Sequence, residues 1–128
     1  MPLLLDGVKV TTTTSGTGDI TLGSPATGYN SIADHDEVVD GSLIYGVIED
    51  GNNREIGIYR YNTSGPTLTR IDIHSTLTAG TFNDTNPTPL SLSGGTSFFM
   101  SLVTQASIPS DFMMTATITT INSIYGGF

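Results

Sequence analysis

The chain has 128 residues, a length that sets one domain. Twelve acidic residues against four basic ones give a net charge of -8, which argues against a phosphate-gripping surface and so against direct nucleic-acid binding. Cysteine is absent, which excludes disulfides and thiolate metal sites, and no run reaches the ~18 apolar residues that a membrane helix needs.

The opening Met1-Pro2-Leu3-Leu4-Leu5 is followed at once by Asp6-Gly7, without a basic flank, so it does not read as a signal peptide. Only 12% of residues are charged, about half the globular average. Thr, Ser, Gly and Asn take their place, and Ile, Val, Tyr and Phe sit between turn-forming clusters. That is strand-and-turn composition, because branched side chains lose rotamer freedom in helices yet pack well on a pleated surface.

Val8 to Thr14 reads as a first strand, with threonines facing water on one side. Ser15 to Asp19 is a turn, and Ile20 to Leu22 a short return strand. Gly23 to Asn30 is a loop, and Ile32 is expected to begin another short strand. Leu43 to Glu49 is the strongest strand: Leu43, Tyr45 and Val47 point one way, Ile44 and Ile48 the other, so both faces are apolar. Asp50-Gly51-Asn52-Asn53 reverses the chain. Arg54 to Tyr61 returns, with Ile56 and Ile58 on one face and Gly57, Tyr59 and Tyr61 on the other.

After a reversal at Asn62 to Pro66, Leu68, Arg70 and Asp72 alternate with Thr69, Ile71 and Ile73. Ser75 to Pro89 is polar and turn-rich, and Pro87 and Pro89 argue against a central strand there. Thr96 to Val103 and Met113 to Ile121 are the last strand candidates. Seven to nine strands at this spacing predict an all-β, antiparallel β-sandwich or small jelly-roll-like barrel over residues 1–128.

Chemistry-bearing clusters are few. Asp34, His35, Asp36 and Glu37, with Asp40 nearby, lack the Gly at position six and Glu at position twelve of a calcium-binding EF-hand loop, and read as a solvated acidic loop. Asp72, His74 and Ser75 are near-adjacent in one strand, whereas a catalytic triad is assembled from separate elements, and no Gly-x-Ser-x-Gly elbow accompanies them. Gly16-Thr17-Gly18 is too short for a dinucleotide fingerprint. Asn62-Thr63-Ser64 and Asn83-Asp84-Thr85 match the glycosylation sequon but read as turn chemistry. No catalytic, cofactor-binding or metal-ligating residue is assigned. Tyr45, Tyr59 and Tyr61 are candidates for core or subunit contact, or for a sugar-binding platform. Phe98, Phe99, Met113 and Phe128 add apolar surface beyond the need of an isolated domain this small, and join the three tyrosines as candidate subunit contacts.

Two stretches carry a resemblance. "VKVTTTTSGTGDITLGSPATGYNSI" (8–32) and "DGSLIYGVIEDGNNREIGIYRYNTSGPTLTRIDIHST" (40–76) resemble a β-rich module of tailed-bacteriophage virion proteins. The matching positions include Val8-Lys9, Gly16-Thr17-Gly18, Gly28-Tyr29, Asp40-Gly41, Tyr45, Glu49-Asp50-Gly51, Glu55, Gly57, Tyr59, Leu68 and Arg70. Where that module carries a tryptophan before its Glu-x-Gly step, this chain carries Arg54. The resemblance implies a non-enzymatic virion structural protein, foremost a capsid decoration (cement) protein that binds and stabilises the assembled head. The alternative it implies is a tail or fibre-attachment protein of adaptor or spike-base type. The implied partners are the major capsid protein or other virion proteins, the implied assembly a homotrimer, and the implied location a virion assembled in the host cytoplasm.

Overall fold

Alternating branched residues build the hairpin at the centre of the fold. In the computed structural model, which describes residues 2–101, it is formed by β4 (Leu43–Asp50) and β5 (Asn53–Asn62), paired in unbroken register from Leu43–Arg60 to Asp50–Asn53. Gly51 takes φ +62° at the first position of the two-residue loop, the residue and sign that a type II′ turn requires.

Around it lie β1 (Lys9–Thr12), β2 (Ser15–Gly16), β3 (Ile20–Thr21), β6 (Thr67–Thr78), β7 (Thr81–Asn83), β8 (Leu92–Ser93) and β9 (Ser97–Ser101). The main sheet runs β1-β9-β4-β5-β6-β3, with β7 also on β6, and β2 and β8 form a small separate ribbon. The run that begins as β3 bonds to two partners in turn. Ile20 and Thr21 pair with Leu68 and Thr67, and Leu22 N–H then donates to Pro66 O at 3.0 Å. Beyond that point Gly23 and Ala26 donate to Thr11 O and Lys9 O, while Thr11 donates to Ser24 O, at 2.7 to 2.9 Å. The two ends of the sheet therefore meet across residues 20–26. The result is an antiparallel, nearly closed barrel-like sheet, as the all-β composition led us to expect.

The interior is filled from alternate positions of these strands: Val10, Ile20, Ile44, Ile48, Tyr59, Tyr61, Leu68 and Phe99, joined by Leu92 of β8 and by Leu5, Ile32 and Leu90 from the connections. The Tyr59 and Phe99 rings meet edge-to-face at 5.4 Å, worth ~0.5–1.5 kcal/mol beyond area burial. Leu3 pairs in parallel with Ile44, taking the part of the β4 edge that β9 leaves at Gly46–Ser101. Ser101 Oγ ties the two together, accepting from Leu5 N–H at 2.8 Å.

Four expectations are corrected. Ile32 starts a 3-10 turn (Ile32–Asp34), not a strand, because the Asp34 carboxylate reaches back to Ser31 N–H as a capping box. Ile20–Thr21 pairs with β6 and not with the strand before it. The alternation of Leu68 to Ile73 is broken by two irregularities in the β5–β6 register, which leave Ile71 and His74 as the extra residues of β6. The stretch from Ser75 is not all loop either: β6 continues to Thr78 and turns through Ala79-Gly80 into β7. Ala79 (φ +50°) and Gly80 (φ +82°) have the two positive angles of a type I′ turn, and Asn53 Oδ1 holds the Ala79 N–H at 2.9 Å. Alanine is strained in that region, so Ala79→Gly should stabilise by about 0.5–1 kcal/mol after the entropy of glycine is counted. Urea unfolding midpoints measure this. The Met113 to Ile121 strand lies outside the described residues.

Candidate functional site

With the inward positions committed to the core, the outward positions of β9, β4 and β5 form the candidate site. Register places Phe98 beside Glu49, Met100 beside Val47, Val47 beside Ile56, and Tyr45 beside Ile58. Neighbouring apolar side chains thus line the outside of the sheet as well as its inside. Of the residues expected at subunit contacts, Tyr45 and Phe98 lie here, both part-exposed. Tyr59, Tyr61 and Phe99 are corrected to core: they are 0%, 5% and 0% exposed because they sit on inward parity. Met113 and Phe128 lie outside the described residues.

The same parity breaks the sugar platform, since two of its three tyrosines point inward. Exposed aromatic surface is found elsewhere. Tyr29 is half exposed, with the Lys9 ammonium 5.3 Å from its ring centroid and 4.7 Å from that of Phe98. Tyr45 meets His74 edge-on, and His74 Nε2 lies 3.3 Å from an Asp72 carboxylate oxygen.

Inside the barrel, sequence reasoning missed a buried charge network. Glu55, fully buried, accepts from Arg70 Nε with both oxygens at 3.0 and 2.9 Å, from Tyr59 Oη at 2.8 Å and from Leu90 N–H at 2.8 Å. Arg70 directs three of its four remaining donors to Thr17 O, Gly18 O and Leu90 O, at 2.8, 2.6 and 2.9 Å. Burial, and then the neighbouring Glu55 charge and its hydrogen bond, push the Tyr59 phenol far above its ordinary range. With four hydrogen bonds to one carboxylate, no acceptor site is left for a substrate. This is a structural clamp that pins residues 17–18 and 90 onto the sheet.

A second buried carboxylate works likewise. Asp50 accepts from Ser93 N–H, Ser93 Oγ and Ser97 Oγ at 2.8 to 2.9 Å. Burial pulls its pKa upward, but these hydrogen bonds outweigh burial and hold the carboxyl below its ordinary value of 3.8. A depressed carboxyl contributes stability that is complete above the unfolded-state pKa and is lost as pH falls through the folded value. Asp50→Asn should therefore be destabilising at neutral pH, by about 1–3 kcal/mol. The gap to wild type should narrow below about pH 4. Urea midpoints measured between pH 3 and 7 read both effects.

The remaining sequence candidates stay apart. The acidic loop spends Asp34 on Ser31 N–H and Asp40 on Thr63, while the His35 ring nitrogen Nε2 meets Asp6 O at 3.0 Å. Among the described residues no three His, Asp or Glu side chains converge as a metal set. Asn62 Nδ2 donates to Thr67 and Thr69, and Asn83 closes a turn by accepting from Thr85 and Asn86, so both act locally in turns and strand ends. A cavity lined by Val10, Leu22, Ile32, Tyr61 and Pro66 holds about 100 Å³, well short of the roughly 300–1,000 Å³ typical of small-molecule sites.

No protein-family model matches the chain, and the searches of curated proteins and of solved structures found no match. What the geometry offers chemically is a surface for contact: the exterior of a barrel-like sheet, apolar along β9, β4 and β5 and charged at its margins.

Proposed function

We propose that the protein is a non-enzymatic structural component of a tailed-bacteriophage virion, a capsid decoration protein that binds the assembled head. The resemblance of residues 8–32 and 40–76 to virion modules suggests this class. The observation that carries it is the β4–β5 hairpin, apolar on both faces, one filling the barrel and the other left on its outside. A face of that kind fits a protein whose work is packing against other chains. Many copies that bind the closed shell, and not its free subunits, stabilise the shell by mass action: ~2.7 kcal/mol per site at a hundredfold excess over Kd.

Quantitative mass spectrometry of purified particles tests the reading. Copy numbers on the order of hundreds are expected for a head protein, whereas about six to eighteen, multiples of the tail's rotational symmetry, would move it to the tail or a fibre base. Absence from particles would overturn it.

A further inference from the structure

The chain has only four basic residues, Lys9, Arg54, Arg60 and Arg70. Arg70 is sealed inside against Glu55. The other three all stand on the outward side of the sheet. Lys9 is opposite Met100, Arg54 opposite Glu49, and Arg60 opposite Leu43. They surround the band of Tyr45, Ile56, Ile58, Phe98 and Met100, all half-buried, with Val47 (8% exposed) at its centre. In a chain of net charge -8, every cation not locked in the interior borders this one apolar face. Among the described residues, none of the three takes part in an ion pair.

A complementary surface exists on the same molecule. In the 35–42 loop, Asp36 and Glu37 are exposed and Val39 is 63% exposed, an apolar knob flanked by acids. The knob is held in place: Val39 N–H donates to Ser42 Oγ at 2.9 Å, Ser42 N–H donates back to Val39 O at 3.0 Å, and Asp40 is tied to Thr63. The loop leads into the start of β4, where Gly41 N–H donates to Tyr61 O at 2.7 Å and Tyr61 N–H to Ser42 O at 2.8 Å, so one molecule can present knob and face together.

We propose that the outer face of β9, β4 and β5 receives the 36–39 loop of a second copy, in a heterologous, head-to-tail contact. Val39 seats on the apolar band, and Asp36 and Glu37 meet Arg60 at the Leu43 end of that band; Arg54 stands six residues away along β5, about 20 Å, and borders its other end. Such a contact generates a ring when its rotation closes, and the expected trimer is one such ring. The proposal deepens the virion reading by naming a self-contact, but its test needs only purified protein, so failure here and absence from particles are separate results.

Charge swapping tests it by sedimentation velocity, with thermal melts confirming that each variant is folded. Wild type is expected to self-associate, and more weakly as salt rises. Arg60→Glu, and separately Asp36→Lys with Glu37→Lys, should each weaken association by about tenfold or more. Val39→Ser, which leaves charge unchanged, should weaken it too. Mixing the two charge-reversed variants should restore association, because each reversed surface meets its opposite on the other molecule. A wild-type monomer at concentrations on the order of 100 μM would overturn the proposal. So would association that survives reversal of the loop, or a mixture that stays monomeric.

Discussion

Arg70→Met should lower stability by about 3–5 kcal/mol, the cost of leaving a buried carboxylate without its partner. For a domain of this size that is a fall in melting temperature of more than about 10 °C. Glu55 is fully buried in the barrel and cannot recover the lost bonds from water. Arg70 also holds three backbone carbonyls, at Thr17, Gly18 and Leu90, which lie in connections lacking long strands of their own. Limited proteolysis should therefore find new cleavage near residues 15–19 and 84–91 before the central hairpin opens. Replacing the whole cluster, Glu55→Leu with Arg70→Met and Tyr59→Phe, should recover part of the loss, because an apolar set of similar volume removes the desolvation penalty with the charges, while the Leu90 N–H and the three carbonyls still lose their partners. Equal stability of the triple and single variants would show that the clamp acts through the loops alone. Chemical unfolding followed by circular dichroism separates these outcomes.

The clamp also explains how an apolar exterior is tolerated. The face on β9, β4 and β5 is presented by strands whose opposite side is locked by the Tyr59–Phe99 contact and by Glu55. Its side chains are held in register while they face outward. A loosely packed barrel would turn such residues inward and lose the surface.

Much of this was legible from period-two alternation. Tyr45, Val47, Ile56 and Ile58 fall on one parity and Ile44, Ile48, Tyr59 and Tyr61 on the other, so both faces of the hairpin are written in the sequence. The same parity places Glu55 with Tyr59 on the inward face, and Arg70 with Leu68. A lone acid and a lone base on core-facing positions of consecutive strands were the available signal for the ion pair. What parity could not supply was pairing order. Residues 20–26 change partner from β6 to β1, and nothing in Ile20-Thr21-Leu22 specifies Leu68, 48 positions beyond Ile20, over the adjacent strand. The irregularities at Ile71 and His74 were likewise hidden, because each shifts the phase without a Gly or Pro of its own to mark it. The division of labour among the three tyrosines was readable from parity, whereas aromatic character by itself left core and subunit contact both open for all of them.

Gly46 and Gly57 face each other across the hairpin, and the second large effect is expected there. A Cβ on Gly46 would fall inside the Phe99 ring, and a Cβ on Gly57 inside contact distance of the Asp72 carbonyl oxygen. Both glycines stand where the chain needs absent volume, not unusual dihedrals, since neither has a positive φ. Gly46→Ala and Gly57→Ala should each cost about 1–3 kcal/mol or more, as overpacking does in closed cores. The two obstacles differ in kind, and that difference makes the prediction sharp. The Phe99 ring is a side chain, so Phe99→Leu added to Gly46→Ala should return part of the loss, a coupling on the order of 0.5–3 kcal/mol in a double-mutant cycle. The obstacle at Gly57 is the backbone of β6 where the register shifts, and no truncation of a neighbouring side chain can clear it. Only a displacement of β6 relieves that clash, and β6 carries Arg70. Gly57→Ala should thus loosen the Glu55 clamp and expose residues 15–19 to protease, whereas Gly46→Ala should leave them protected. If the two variants gave the same cleavage pattern, the close approach of β6 to β5 at Gly57 would not be what seats the ion pair.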